Sequence, residues 1–449
     1  MSRVLLSFYN GLNSLDRIPV FYDGLIRALE RAGNQVLVLS ANLFMDTAAA
    51  EVNSLSKIRN RRGFVSRILS FQPDLVVSFN HATPLELLDA LSCPILVWEA
   101  DSAIYFSNQG DLRKRKERYH FGIVTKSSAP LLRERFGVEP RAMHYLPFAT
   151  DIRALELPQD KNISFIGSYF NRGEELIRAC SEYSIEERRS VSAFLDHIER
   201  DPFAGLDDLL RLHEVPPAIA RLFSRGILHN LISTNLRVEL LSELADLGLT
   251  VYGNADWTYA ANSSYRLALA FDPTPVYDMA QNERAYNSSR ICVNVSHLQA
   301  TEGLNWRIRD VMASRACLVS DRQDDLGEFA PFVEIPVYRD KYEARSLCAS
   351  LLEDEGRRAE IVAGSNRAIE SGHRFAHRLA AISEITGVPL AGEGPGSRTA
   401  VDPAEFGLIG EWQGTGAKRR IVEGIRALLG LLPEKTRKSV KRMLRGVAR

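Results

Sequence analysis

The sequence predicts an α/β protein made of two doubly wound parallel-sheet domains. Short, nearly continuous apolar runs alternate with amphipathic helical stretches, and runs that lack polar alternation belong to strands covered on both faces. That alternation restarts near residue 162. A chain of 449 residues also exceeds what one hydrophobic core usually organises.

The elements follow in order. RVLLSFY is a first strand, NGLNSLDRIPV a polar turn containing Gly11, and FYDGLIRALERAG a helix whose apolar residues recur at helical spacing up to Gly33. QVLVLS, PDLVVSFN (73–80), CPILVWEAD (93–101) and FGIVTKS (121–127) are further buried strands. Ligands of such sheets gather at the carboxyl ends of the strands, where this chain places Asn10 and Gly11, Asn80 and His81, and Glu99 and Asp101. The first domain is read as residues 1–150, closing on LPFATD (146–151), which Pro147 stiffens into an interdomain connection.

The second domain, 151–386, opens with ISFIGSYFNRGEELIRAC, again strand, glycine turn and helix. LTVYGNADW (249–257), SRICVNVSH (289–297), RACLVSD (315–321) and FVEIPVY (332–338) extend its sheet. The stretch near 184–246 is helical and too long for a usual connection, so it reads as an insertion. Residues 345–386 form a pair of amphipathic helices. GVPLAGEGPGSRTAVDP (387–403) reads as a flexible linker, and 404–449 as a basic helical tail.

Composition narrows the class. With 45% hydrophobic and 25% charged residues the chain is an ordinary globular one. Its five cysteines form no CxxC pair and no zinc spacing, so a reducing, cytoplasmic compartment is expected. The N-terminal run has no signal-peptide pattern, and no run reaches the length of a membrane span. The formal net charge is zero, yet residues 418–449 hold eleven Lys or Arg against two Glu. A balance of +9 there leaves −9 elsewhere, which marks the tail as having its own task.

The chemistry-bearing stretch is TEGLNWRIRDVMASRACLVSD (301–321). Glu302 stands in a glycine-containing loop, and Asp310 lies on the helix that follows, with the seven residues GLNWRIR between them. This spacing resembles the Glu, seven residues, Glu motif of retaining glycosyltransferases of the group 1 type, which have the GT-B architecture: two Rossmann-like domains facing a central cleft. Here the second acid is Asp, and Ser314-Arg315 replaces the usual Cys-Gly. The closer resemblance is to the spore-maturation CgeB-like branch, carried by YNSSRICVNVSHLQATEGLNWRIRD, YLPFATD, ISFIGSYFNR and HRFAHRL, in that order over roughly residues 70–385.

The resemblance implies a hexosyltransferase-like enzyme of polysaccharide biosynthesis. It would move a sugar from a nucleotide-sugar donor to a saccharide or cell-surface acceptor. Gly303, Leu304 and Asn305 would offer backbone N–H groups to the donor diphosphate, since a helix start carries unpaired donors. Glu302 would accept from sugar hydroxyls and Asp310 from the ribose, as ionised carboxylates accept only. Arg172, after the Gly167 turn, would neutralise the diphosphate, with Arg307 as a second cation. Gly11 sits where the class places a loop against the phosphates. His81 and Asp101 would orient the acceptor, although a strand-end histidine also reads as structural. The nucleotide sugar is substrate, and neither cofactor nor metal is implied.

Two other classes stay open. One is an inverting enzyme with His81 or Asp101 as base, and the other a non-catalytic binder or scaffold docked through its tail. Ile421, Ile425, Leu428, Leu429 and Leu432 recur at helical spacing beside cationic residues. That suits either an anionic membrane surface on the cytoplasmic side or packing on the first domain. Without interleaved aromatic residues, the tail is not read as binding nucleic acid.

Overall fold

The computed structural model describes residues 1–12, 14–45, 55, 57–103, 106, 111–113, 116–171, 173–200, 206–224, 227–298, 303–392 and 394–408. Arg172, Glu302 and the tail from 409 therefore lie outside the described residues.

Two parallel sheets carry the fold. The first contains β1 (Arg3–Phe8), β2 (Gln35–Ser40), β3 (Leu75–Phe79), β4 (Ile95–Trp98), β5 (Tyr119–Ile123) and β6 (Met143–Tyr145). The second contains β7 (Lys161–Ile166), β8 (Leu249–Tyr252), β9 (Phe271–Asp272), β10 (Ser289–Asn294), β11 (Cys317–Asp321) and β12 (Val337–Tyr338). A late strand, β13 (Ser397–Ala400), returns to the first sheet, giving the order β13-β2-β1-β3-β4-β5-β6, against β12-β11-β10-β7-β8-β9 in the second. Strand order reverses between β1 and β3 and again between β7 and β10, and ligands of doubly wound sheets bind at such points.

The sequence-predicted α/β class and its buried strands hold. β1 and β3 bury nearly every residue, as their unbroken apolar runs require. Between β7 and β8 the chain runs through the helices Gly173–Cys180, Ile185–Arg200, Leu206–Leu212, Pro217–Ser224 and Ile227–Leu244. They build a small core of their own around Phe194, Ile219 and Ile232.

The linker reading of 387–403 is corrected. Ser397–Ala400 pair in parallel with β2, and Val401 N–H donates to Val38 O at 3.0 Å. Asn34 Nδ2 donates to Leu390 O at 2.7 Å, and Ser2 Oγ to Pro389 O at 2.6 Å. Small and glycine residues read as linker here because the strand is an exposed edge with little to bury. The tail's first residues belong to the same domain, with Phe406 packed edge-on against Phe64 and Leu408 bridging Ile58. The helix Phe375–Thr386, placed by sequence in the second domain, buries Phe375, Leu379 and Ile382 in the core of the first.

Two motifs that stood apart in the sequence prove to be the two crossings between domains. LPFATD crosses outward and HRFAHRL crosses back, and they are fastened together. Thr150 N–H donates to His373 O at 3.1 Å, and Arg378 Nε to Pro147 O at 2.7 Å. Beside them stands Phe21, 2% exposed, on the helix Val20–Arg31. Its ring centroid lies 5.4 Å from Phe79, 5.0 Å from Phe148, 5.2 Å from Phe375 and 5.2 Å from Trp306 of the second domain, with the Trp306 ring stacked at 23°.

Removing that ring empties a junction that both domains share. Phe21→Ala is expected to cost about 3–5 kcal/mol in denaturant unfolding, the usual range for a buried phenylalanine. A loss below about 1 kcal/mol would show that the junction repacks without it.

Candidate active site

A cleft of about 640 Å³ opens between the carboxyl ends of the two sheets. It brings together Asp101 of the first domain and Gly167, Gly303, Leu304, Asn305, Arg307 and Asp310 of the second.

β7 ends in Gly167, whose bareness is structural. A Cβ there would stand 2.6 Å from the Phe165 ring and 3.1 Å from Arg307 Nη2, so glycine lets the arginine lie along the strand end. Gly303 has φ +85, and its missing Cβ would fall 2.8 Å from Thr125 Cβ, so this loop touches the opposite domain. Asn305 caps the helix Trp306–Met312, its Oδ1 accepting from Ile308 N–H at 3.3 Å.

A buried polar network holds this side rigid. Asp321, at the end of β11, accepts from Asn294 Nδ2 at 2.9 Å and from Ser296 N–H at 2.9 Å. Asn294 Oδ1 in turn accepts from Asn305 Nδ2 at 2.9 Å and from Arg307 Nη1 at 3.0 Å. The guanidinium of Arg307 lies 5.2 Å from the centre of the Phe165 ring.

Arg237, on the helix Ile227–Leu244, stands beside the same ring at 5.7 Å and over Phe170 at 5.2 Å. Its Nη1 donates to Ser168 O at 2.6 Å, while its buried Nε has no hydrogen-bond partner among the described residues. Burial, then the neighbouring Arg307 charge, pushes it down to about 9, and burial lowers Arg307 too. Neither makes an ion pair within 4.0 Å of a described carboxylate, so two desolvated cations face one cleft. Arg237 was not singled out from sequence, although its signal was there. Ser233, Arg237, Leu241 and Leu244 are buried on one stripe of the helix, and a charge on such a stripe is unusual.

Asp310 is 3% exposed. Its Oδ1 accepts from Thr150 Oγ1 at 2.6 Å, which ties the motif helix to the outward crossing. Oδ2 is buried without a partner among the described residues. Burial pushes the carboxyl up to about 7, against the Thr150 hydroxyl and the charges of Arg307, Arg374 and Arg309.

Two residues expected at the site lie outside the cleft lining. His81 does not line the cleft: its Nε2 contacts Tyr119 Oη at 2.7 Å, and Tyr119 donates to Asp111 at 2.7 Å, all inside the first domain. Gly11 is exposed and stands outside the lining. The turn Asp324–Phe329 after β11 lies outside the lining as well. Its Glu328 pairs with Arg309 of the motif helix, which is 1% exposed and does not line the cleft. Among the described residues no group of three or more His, Cys, Asp or Glu is placed to hold a metal ion.

The fold matches that of sucrose-phosphate synthase from Thermosynechococcus elongatus with a TM-score of 0.51, at 10% identity, over 86% of this chain and 98% of that one. The chain has a GT-B fold. Residues 235–384 match the family model described as glycosyl transferase-like, so the GT-B second domain carries the sequence match and Arg237, Arg307 and Asp310 fall within it. Lower similarity is found to Anabaena HepE in complex with UDP and glucose, with a TM-score of 0.44 at 10% identity over 86% and 99% of the chains. A glycosyltransferase from Rickettsia africae gives a TM-score of 0.43 at 10% identity over 87% and 99%. No curated protein matches the chain in sequence.

The buried carboxyl in this GT-B cleft has a pH consequence. A carboxyl whose folded value lies above its ordinary 3.8 holds its proton longer in the folded state. Its contribution is then full at low pH and lost as pH rises towards 7. Asp310→Asn, uncharged throughout, is expected to gain stability relative to wild type between about pH 4 and pH 7, and no further above that range. Paired thermal melts read this, and a constant difference across that range would mean an Asp310 that ionises normally.

Proposed function

We propose that this chain is a glycosyltransferase that moves a sugar from a nucleotide-diphosphate donor to a saccharide or other cell-surface acceptor, with retention. The observation that carries the reading is the pair Arg237 and Arg307. Both are desolvated, both face the cleft, and neither makes an ion pair within 4.0 Å of a described carboxylate, although Asp321 acts on both at longer range. A diphosphate brings about two negative charges and oxygens that guanidinium groups grip in pairs.

In this reading the diphosphate lies between Arg237, Arg307 and the backbone of Gly303–Asn305. Asp310 Oδ2 and Glu302 take hydroxyls of ribose and sugar, and Arg172 adds a third cation. The guanidiniums offset charge that grows on the leaving diphosphate as its bond to the sugar breaks. A preorganised cation is worth most where water is excluded, which is the setting of both arginines. The glycosyl transferase-like sequence match over 235–384 supports the same assignment.

A thermal-shift panel of UDP-, GDP-, ADP- and dTDP-sugars tests it. One donor is expected to raise the melting temperature of wild type, with about 2.7 kcal/mol gained at a hundredfold excess over Kd. Arg237→Ala and Arg307→Ala should each lose most of that shift. Variants that keep the full shift would remove these arginines from the donor site. A wild type stabilised by none of the four would remove the donor reading.

The basic tail is proposed to rest on an anionic membrane surface. The described chain ends at Leu408, which bridges Ile58 beside the exposed Arg59, Arg61 and Arg62, a cationic corner of the first domain. No helix among the described residues is long and apolar enough to cross a membrane. Full-length protein is expected to sediment with phosphatidylserine vesicles at low salt and to release as salt rises. Equal sedimentation with neutral vesicles would reject the electrostatic reading.

A further inference from the structure

The acceptor side of the cleft holds a carboxyl that the donor reading does not use. Glu99 follows β4 at the carboxyl end of the first sheet and lines the cleft while only 1% exposed. Its Oε2 accepts from Val124 N–H at 3.0 Å. Its Oε1 is buried and has no hydrogen-bond partner among the described residues. An unpaired carboxylate oxygen in a dry site is costly, and such atoms call for a specific explanation.

The loop around Glu99 is fixed at an expense in backbone conformation. Asn80 takes φ 50, in the left-handed region that non-glycine residues avoid. From there its Oδ1 accepts from Ala100 N–H at 2.8 Å and Asp101 N–H at 3.0 Å, and its Nδ2 donates to Asp101 Oδ2 at 2.8 Å. One asparagine in a left-handed backbone conformation thus sets the loop that follows Glu99 and places Asp101 in the same cleft.

The position relative to the donor loop gives this meaning. A Cβ on Gly303 would stand 3.4 Å from Val124 O and 2.8 Å from Thr125 Cβ. Val124, whose N–H Glu99 holds, and above all the next residue, Thr125, therefore face the Gly303 loop of the opposite domain. We infer that Glu99 Oε1, with Asp101 beside it, is the subsite that accepts a hydrogen bond from the incoming acceptor hydroxyl and sets it against the donor sugar. Burial pushes Glu99 up to about 7, against the Val124 N–H and the Ser128 hydroxyl. The inference rests on the transfer reading of the cleft.

Glu99→Gln tests it, because the amide keeps shape and volume while replacing one acceptor oxygen with a donor. Wild type and variant are compared with the donor that the panel selects, first for thermal shift, then for turnover with water and with a set of p-nitrophenyl glycosides. The expected result is an unchanged donor shift, with turnover reduced by about 10²-fold, the usual worth of a positioned group of this kind. Glu99→Asp, which keeps the carboxylate but withdraws it, should recover part of that loss. Wild-type turnover in Glu99→Gln overturns the subsite. Loss of the donor shift in the variant also overturns it, because Glu99 would then serve the donor site or the fold. A wild type that binds donor but turns over none overturns it while leaving the donor site in place. A wild type that binds no donor removes both readings.

Discussion

The structure depends on the junction around Phe21, where a helix of the first domain, both crossing segments and the motif helix of the second domain meet in one aromatic cluster. Trp306 is the first residue of that motif helix, so its stack on Phe21 sets where the helix start points. The same helix carries Arg307, Arg309 and Asp310. Each faces a different neighbour: Arg307 the cleft and Asn294, Arg309 the loop carrying Glu328, Asp310 the crossing at Thr150. A helix of seven residues has little intrinsic stability. Its geometry comes from these contacts, and the donor side of the cleft inherits whatever precision the junction has.

Burying Arg237 and Arg307 together runs against electrostatics. Each loses hydration, and Arg307 lowers the affinity of Arg237 for its proton. Pairing either with a carboxylate would have been the ordinary solution. The fold uses ring faces instead, with Phe165 next to both guanidiniums and Phe170 next to Arg237. It adds neutral oxygen acceptors at Ser168 and Asn294. Cation–π contacts and carbonyl oxygens hold a cation in place without cancelling its charge. A site arranged in this way keeps its positive potential for something that enters the cleft.

Much of the fold was legible because buried parallel strands leave unbroken apolar runs. β13 was not, since an exposed edge strand of Ser, Arg, Thr and Ala has no apolar run to display and stands among glycines. Glu302 and Asp310 drew attention through spacing, which a linear motif records well. Arg237 did not, because its partners Phe165 and Ser168 on one stretch and Arg307 on another are brought to it only by the folded sheet. His81 shows the opposite failure. Its place at a strand end suggested the cleft, but its positive φ of 56 turns the chain, and its ring faces Tyr119 inside the domain.

The crossings give the two domains a shared chemistry as well as a shared packing. Asp310 holds the outward crossing with one oxygen and lines the cleft, while its other oxygen has no described partner. Glu99 has the same division on the facing domain, with Oε2 on Val124 and Oε1 without a hydrogen-bond partner among the described residues. Both carboxyls are thus half committed to scaffold and half uncommitted. In each case the committed oxygen contacts a segment that touches the opposite domain: Thr150 runs into the second domain, and Val124 meets the Gly303 loop. Any shift of one domain against the other must therefore move a hydrogen bond that also orients a cleft-lining carboxyl. Domain placement and site geometry cannot vary independently in this chain, and the tight crossing at Thr150, His373 and Arg378 is what keeps both in register.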